Sequence, residues 1–262
     1  MRAFAFVSAA SLALAAPVEA APRRVVSLNL CTDELLLLLG APRQIASVTH
    51  LAQQPAEFAL WREARRYKRN DGSLLSVAGM RPDLVLTMGG GARDRVRIAG
   101  RLGMTMLDLP YPKSLADIEA SVARVARALD QRGRGERMLT ALSEARRLKP
   151  ARGIDTIWLG GGGRSASATG LAAEWMALAG LRQRALRGDR VSLEHLLARP
   201  PAVLLRSDYR AGQYSGEQRW LSHPLAKGDA RSRTIATDGR GWTCMGPNLL
   251  GEVARLRKEA RR

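Results

Sequence analysis

The chain has 262 residues and a formal net charge of +18, from 42 lysines and arginines against 24 acidic residues. That length can bury one large core or two lobes, and a 46% hydrophobic composition excludes a low-complexity or disordered chain. The cationic excess lies in 37 arginines scattered through every segment; with no zinc finger, basic zipper or aromatic–basic RNA motif present, it reads as solvated helix faces and not as a nucleic-acid footprint.

The N-terminus differs from the rest. Arg2 precedes the apolar run AFAFVSAASLALAAP, and Val18 and Ala20 put small residues ahead of a cut after Ala20. Residues 1–20 therefore read as a secretory signal peptide, too short for a stable membrane span. No later apolar run is long enough to cross a bilayer. The expected mature protein is exported to the periplasm, an oxidising compartment.

Strand-like and helix-like segments then alternate. RVVSLN (24–29) predicts a strand, and TDELLLLLG (32–40) a helix with Thr32 or Asp33 as N-cap and Gly40 past its end. QIASVTH (44–50) predicts a strand and PAEFALWREARR (55–66) a helix opened by Pro55. SLLSVAGM (73–80) is a short helix stopped at Arg81-Pro82, DLVLTM (83–88) a buried strand, ARDRVRIAGRLG (92–103) an amphipathic helix and MTMLDLP (104–110) the next strand. Such βαβ order implies a parallel sheet. Two helical stretches follow, 114–131 and 136–149, with a break expected at Arg132–Gly135 and a stop at Pro150. Alternation then restarts: strands at 153–160, 202–207 and 232–238, helices at 171–181, 192–199, 216–225 and 246–262. The phrase over 74–88 echoes that over 193–207, each a short helix, an Arg-Pro pair and a buried strand. The echo favours two similar α/β halves over one continuous sheet.

Taken in order, RVVSLNLCTDELLLLLG, LLSVAGMRPDLVLTMGG, LGMTMLDLP, SLADIEASVARVARAL and DGRGWTCMGPNLLGEVARL resemble the periplasmic substrate-binding proteins of ABC importers for ferric siderophores, haem and cobalamin, from about Arg24 to Ala260. The resemblance implies an α/β fold of two Rossmann-like lobes with mainly parallel sheets, residues 22–130 and 151–262, bridged by a single long helix within 131–150. It implies a ligand cleft between the lobes, an iron chelate or corrinoid as transported ligand, no intrinsic cofactor, and a monomer that delivers its cargo to an inner-membrane ABC permease. Acidic surface residues would dock on that permease; Glu57, Glu63 and Glu217 are the candidates.

Ligands of open parallel sheets sit beyond the carboxyl ends of the strands. Those ends are here 29–33, 49–53, 89–93, 160–165, 207–214 and 238–244. Cys31 and Cys244, the only cysteines, each follow a strand. They either pair as a disulfide, as two cysteines in an exported protein usually do, or touch the ligand or its metal together with His50. Trp242, after the last strand, is expected to pack on a macrocyclic or chelate ligand, with Tyr209 and Tyr214 as weaker candidates. Asn29, Thr32, Gly90, Gly91, Arg93, Gly162 and Arg164 complete the ligand-binding set, glycines letting the backbone approach a bulky ligand. Trp61, Trp158, Trp175 and Trp220 read as core or lobe surface, and His195 and His223 as structural. Neither glycine run has a dinucleotide or P-loop fingerprint, and no GxSxG or HExxH motif appears. The alternative reading is a two-domain α/β enzyme using a nucleotide or metal cofactor; a third is a cell-envelope interaction protein without a small ligand.

Overall fold

The computed structural model describes residues 20–91, 93–210, 212–213, 215–228 and 230–261. The expected signal segment, save Ala20, and Tyr214 lie outside them. The first lobe is a five-stranded sheet of β1 (Val25–Ser27), β2 (Ile45–Thr49), β3 (Lys68–Asn70), β4 (Leu84–Met88) and β5 (Thr105–Leu109), interleaved with α1 (Leu30–Leu39), α2 (Trp61–Ala64), α3 (Leu74–Ala78) and α4 (Arg93–Arg101). The antiparallel pair α5 (Leu115–Ala128) and α6 (Arg132–Arg147) follows. The second lobe holds β6 (Ile154–Leu159), α7 (Leu171–Leu178), β7 (Leu181–Gln183), α8 (Leu193–Ala198), β8 (Val203–Ser207), α9 (Gly216–Ser222), α10 (Pro224–Lys227), β9 (Arg233–Thr237), α11 (Gly241–Cys244) and α12 (Leu249–Ala260).

Both sheets are wholly parallel, with strand orders β3-β2-β1-β4-β5 and β7-β6-β8-β9. The order β2-β1-β4-β5 repeats as β7-β6-β8-β9, so the two Arg-Pro phrases deliver topologically equivalent strands, β4 and β8. β4 is buried throughout and β8 at every residue but Arg206, and each accordingly opens as an apolar run, over 84–86 and 203–205. β3 and β7, three residues each and charged, are edge strands the hydrophobic pattern does not announce.

Three elements depart from expectation for local reasons. Helix α1 starts at Leu30, because the Asn29 side chain accepts the Cys31 N–H at 2.9 Å and caps it. Thr32 and Asp33 thus fall inside the helix, fully buried. The helix expected over 55–66 shrinks to α2; Gln54 closes a turn with Glu57 and Phe58 that sinks Phe58 into the core. The helical break falls at Leu129–Gln131, where Asp130 takes φ 53°, and Arg132–Gly135 begins α6 instead. A Cβ on Gly135 would stand 2.5 Å from the Ala126 Cβ. That glycine serves the close approach of α5 and α6 and does not interrupt a helix.

Helix α6 joins the lobes. Its 16 residues span about 24 Å. Arg134 near its start donates to the Gly40 carbonyl of the first lobe at 2.7 Å, and Ala145 near its end accepts from Arg257 of α12 at 3.2 Å. One apolar cluster runs through both lobes, including Leu36 of α1, Val125 of α5, Leu142 of α6, Trp175 of α7, Leu205 of β8 and Val253 of α12. The lobes therefore share a core as well as a linker.

Candidate functional site: the junction between the lobes

The carboxyl ends of the two sheets face one another, as contacts between segments far apart in sequence show. Cys31, in the first turn of α1, is disulfide-bonded to Cys244 at the end of α11, with Cα atoms 5.1 Å apart. Glu34, one turn further along α1, is buried against the opposite lobe and accepts the Asn248 N–H at 2.9 Å. Burial raises its pKa to about 7, against the lowering effect of that hydrogen bond. Asp33 is likewise raised to about 7 by burial, although Thr49 donates to it from both its backbone N–H and its hydroxyl.

On the β2 side a polar latch closes the junction. Glu57 accepts from the Tyr209 hydroxyl at 2.7 Å and pairs with Arg210 at 2.9 Å, while Arg240 donates to the Pro55 carbonyl at 2.8 Å. Burial works to raise the Glu57 pKa, but the hydrogen bonds from Arg210 and Tyr209 prevail and hold it below its ordinary value. Near the start of α5, Glu174 of α7 accepts the Leu115 N–H at 2.7 Å.

On the β5 side the junction stays open as a cavity of about 520 Å³, within the range of small-molecule and cofactor sites. Pro112 and Lys113 form its first-lobe wall and residues 165–167 and 169–172 face them; Trp158, Trp242 and Met245 complete it. The two indoles lie 6.2 Å apart, tilted by 57°, an arrangement favourable to aromatic pairs. The Trp242 N–H donates to Thr237 Oγ1 at 2.8 Å, whereas the Trp158 indole nitrogen is buried without a hydrogen-bond partner among the described residues.

The described residues singled out in the sequence separate into four groups. Asn29, Cys31, Trp242, Cys244 and Tyr209 converge on the junction. Gly90, Gly91, Arg93 and His50 are exposed at strand ends of the first lobe, off the cavity wall. Gly90 has φ 66°, which favours glycine for backbone reasons alone. Gly162 and Arg164 are engaged within the second lobe, Arg164 in an ion pair with Glu217. Thr32 contacts no ligand space: it is buried, with its hydroxyl 2.8 Å from Ser27 Oγ. The metal-ligand reading of Cys31 and Cys244 does not survive, because both sulfurs are spent on each other and a disulfide is no thiolate. His50 instead lies with Nδ1 3.3 Å from the Asn70 carbonyl. Among the described residues no group of three or more His, Cys, Asp or Glu is arranged to hold a metal ion.

Pro112, Lys113 and Met245 are not among the residues the sequence singles out, and Trp158 reads there as core or lobe surface. The rule that ligands sit past strand ends finds the first two once it is applied to the end of β5 at Leu109. Trp158 was hidden by the apolar run TIWL, which reads as core throughout.

No protein-family model matches the chain, and no curated protein matches it by sequence. Solved structures do. The periplasmic haem-binding protein RhuT from Roseiflexus sp. RS-1 superposes with a TM-score of 0.65 at 22% identity, covering 90% of this chain and 96% of that one. The siderophore-binding protein BauB, bound to ferric iron and two molecules of acinetobactin, gives 0.71 at 12% identity, with 92% and 93% covered. The periplasmic vitamin B12-binding protein BtuF of Vibrio cholerae gives 0.63 at 16% identity, with 92% and 98% covered. The chain has the periplasmic-binding-protein fold. Within that fold, two of the acidic residues expected to face a permease are already engaged: Glu57 belongs to the latch between the lobes, and Glu217 to the Arg164 ion pair. Glu63 is exposed on α2.

Proposed function

We propose that this protein is an exported, non-enzymatic solute-binding protein that holds an iron chelate (a ferric siderophore or haem) or a corrinoid between its lobes and delivers it to an inner-membrane ABC permease. The observation that carries the reading is the cavity where the strand ends of two parallel sheets meet, walled by a pair of indoles and the Ser165–Ala172 segment. Aromatic faces bury large flat or globular ligands, and a few polar groups orient them. Lys113, Ser167 and Thr169 supply those polar groups. The fold shared with periplasmic haem-, siderophore- and B12-binding proteins supports the same class of cargo. In this reading residues 1–20 are removed on export, 22–130 and 151–262 are the two lobes, 131–150 connects them, and the protein works as a monomer. Glu63, exposed on α2, and Glu217, exposed although ion-paired with Arg164, are the carboxylates that dock on the permease, one on each lobe.

The serines near the junction have structural partners. Ser165 Oγ donates to the Trp158 carbonyl at 2.6 Å and accepts from Gln183 at 3.0 Å, and Ser27 Oγ bonds Asn29 and Thr32. The partners of Ser165 include no base, and Ser27 is buried beside Asp33 away from the cavity, which supports a binding role over hydrolysis. Isothermal titration of the purified protein with haem, cyanocobalamin and a ferric hydroxamate is the test. Saturable one-to-one binding of at least one of them is expected; heat flat for all three contradicts the reading.

A further inference from the structure

The segment 241–248 carries two side chains of the cavity wall, Trp242 and Met245, yet two of its firmest anchors lie on α1 of the other lobe. Cys31 and Glu34 stand three residues apart on one face of that helix. Cys31 is covalently bonded to Cys244. The Glu34 carboxylate accepts the Asn248 N–H, and a Cβ on Gly246 would stand 2.2 Å from Glu34 Oε1, so the carboxylate lies flush against the segment's backbone. Between these two points the chain turns through Met245 in the left-handed region, φ 49°, and the Met245 carbonyl accepts the Trp175 indole N–H at 2.8 Å. Trp242 is held from its own side by Thr237.

A carboxylate this deeply buried is costly, and apolar side chains of similar volume would pack a lobe interface at least as stably. Packing therefore does not explain Glu34. What a carboxylate does there, and an alkyl chain does not, is take a backbone N–H at a fixed point of the segment.

We propose that α1 acts as a two-pronged clamp on the cavity floor, with Cys31, Cys244 and Glu34 as positioning residues for cargo binding. One prong is the disulfide, the other the Glu34–Asn248 hydrogen bond, and between them they fix Trp242 and Met245 against Trp158. The proposal rests on the functional reading above in taking this cavity as the binding site. The geometric part of it, that α1 sets the indole arrangement, stands without any cargo.

The test compares Glu34→Ala, Glu34→Gln and the double change Cys31→Ser with Cys244→Ser against the wild type, and the wild type itself before and after reduction under native conditions. Affinities for haem, cyanocobalamin and a ferric hydroxamate are measured beside near-ultraviolet circular dichroism and amide hydrogen exchange over 241–248. Glu34→Ala and loss of the disulfide should each weaken binding of the retained probe by about tenfold or more, alter the tryptophan dichroism and speed exchange in the segment. Glu34→Gln, which keeps an acceptor oxygen at the same reach, should stay within about threefold of wild type. Wild-type affinity, dichroism and exchange in Glu34→Ala and in the reduced protein overturn the clamp, as does a loss in Glu34→Gln equal to that in Glu34→Ala. Where a variant fails to fold, the reduced wild type decides. If the wild type binds none of the three probes, the functional reading falls, and the clamp is judged on dichroism and exchange alone.

Discussion

Asp33 and Glu34 are neighbours on α1 that face different parts of the molecule. The first binds Thr49 within its own lobe, the second reaches Asn248 in the other. Burial raises both to about 7, so the native state retains protons that the unfolded chain has already released. Stability therefore falls as pH climbs from about 4 to about 7, by up to about 1.4 kcal/mol per pH unit for each group. Urea unfolding at pH 5 and pH 8 should show the higher midpoint at pH 5, and Asp33→Asn should reduce the difference. At the cavity, Lys113 is the one lysine or arginine of the wall among the described residues. Lys113→Ala should weaken an anionic chelate by about threefold to tenfold, while leaving a neutral corrinoid unaffected; equilibrium dialysis at low salt checks both. At this scale the sequence was informative about residue type more than setting. An indole after the last strand pointed to Trp242, and the structure makes it both cavity wall and core, 6% exposed with its N–H bonded to Thr237. No local pattern says that Trp158, inside an apolar strand, opens onto the same space.

Elements whose signals are local were legible. The buried strands β4 and β8, the amphipathic α4 and the helix α5 follow from period and composition. Where a residue serves a distant neighbour, the local reading fails. Gly135 looked like a helix breaker and is a contact point between two helices. Gly135→Ala sets two effects against each other: alanine favours the helix by about 1 kcal/mol, but its Cβ would meet Ala126 at 2.5 Å, and overpacking costs about 1–3 kcal/mol. The clash should win, and thermal unfolding should show a lower midpoint. At α1 the cap lies at Asn29, whose side-chain oxygen accepts the Cys31 N–H, and Thr32 and Asp33 are left to the interior. His223, extended ahead of Pro224, divides a helix that looked continuous.

For the whole molecule, two α/β halves were legible in the alternation and the repeated Arg-Pro phrase. How the halves meet was not, because the contacts that fix it join residues such as Glu57 and Tyr209, 152 positions apart, and leave no local trace. The disulfide closes a separation of 213 residues. In the chain-entropy model its removal should cost about 5 kcal/mol, and denaturant unfolding of the Cys31→Ser, Cys244→Ser protein beside the wild type measures that loss. The shared core and the latch leave little scope for wide opening, so cargo would enter a largely preformed cavity. The most direct test of that account is a fluorescence titration, with haem, cyanocobalamin and a ferric hydroxamate, of the wild type beside Trp158→Phe. The account predicts saturable quenching at one equivalent for a cargo the wild type binds, with a smaller amplitude and weaker affinity in Trp158→Phe. Equal quenching and affinity in the two proteins, or no saturable quenching by any of the three, would contradict it.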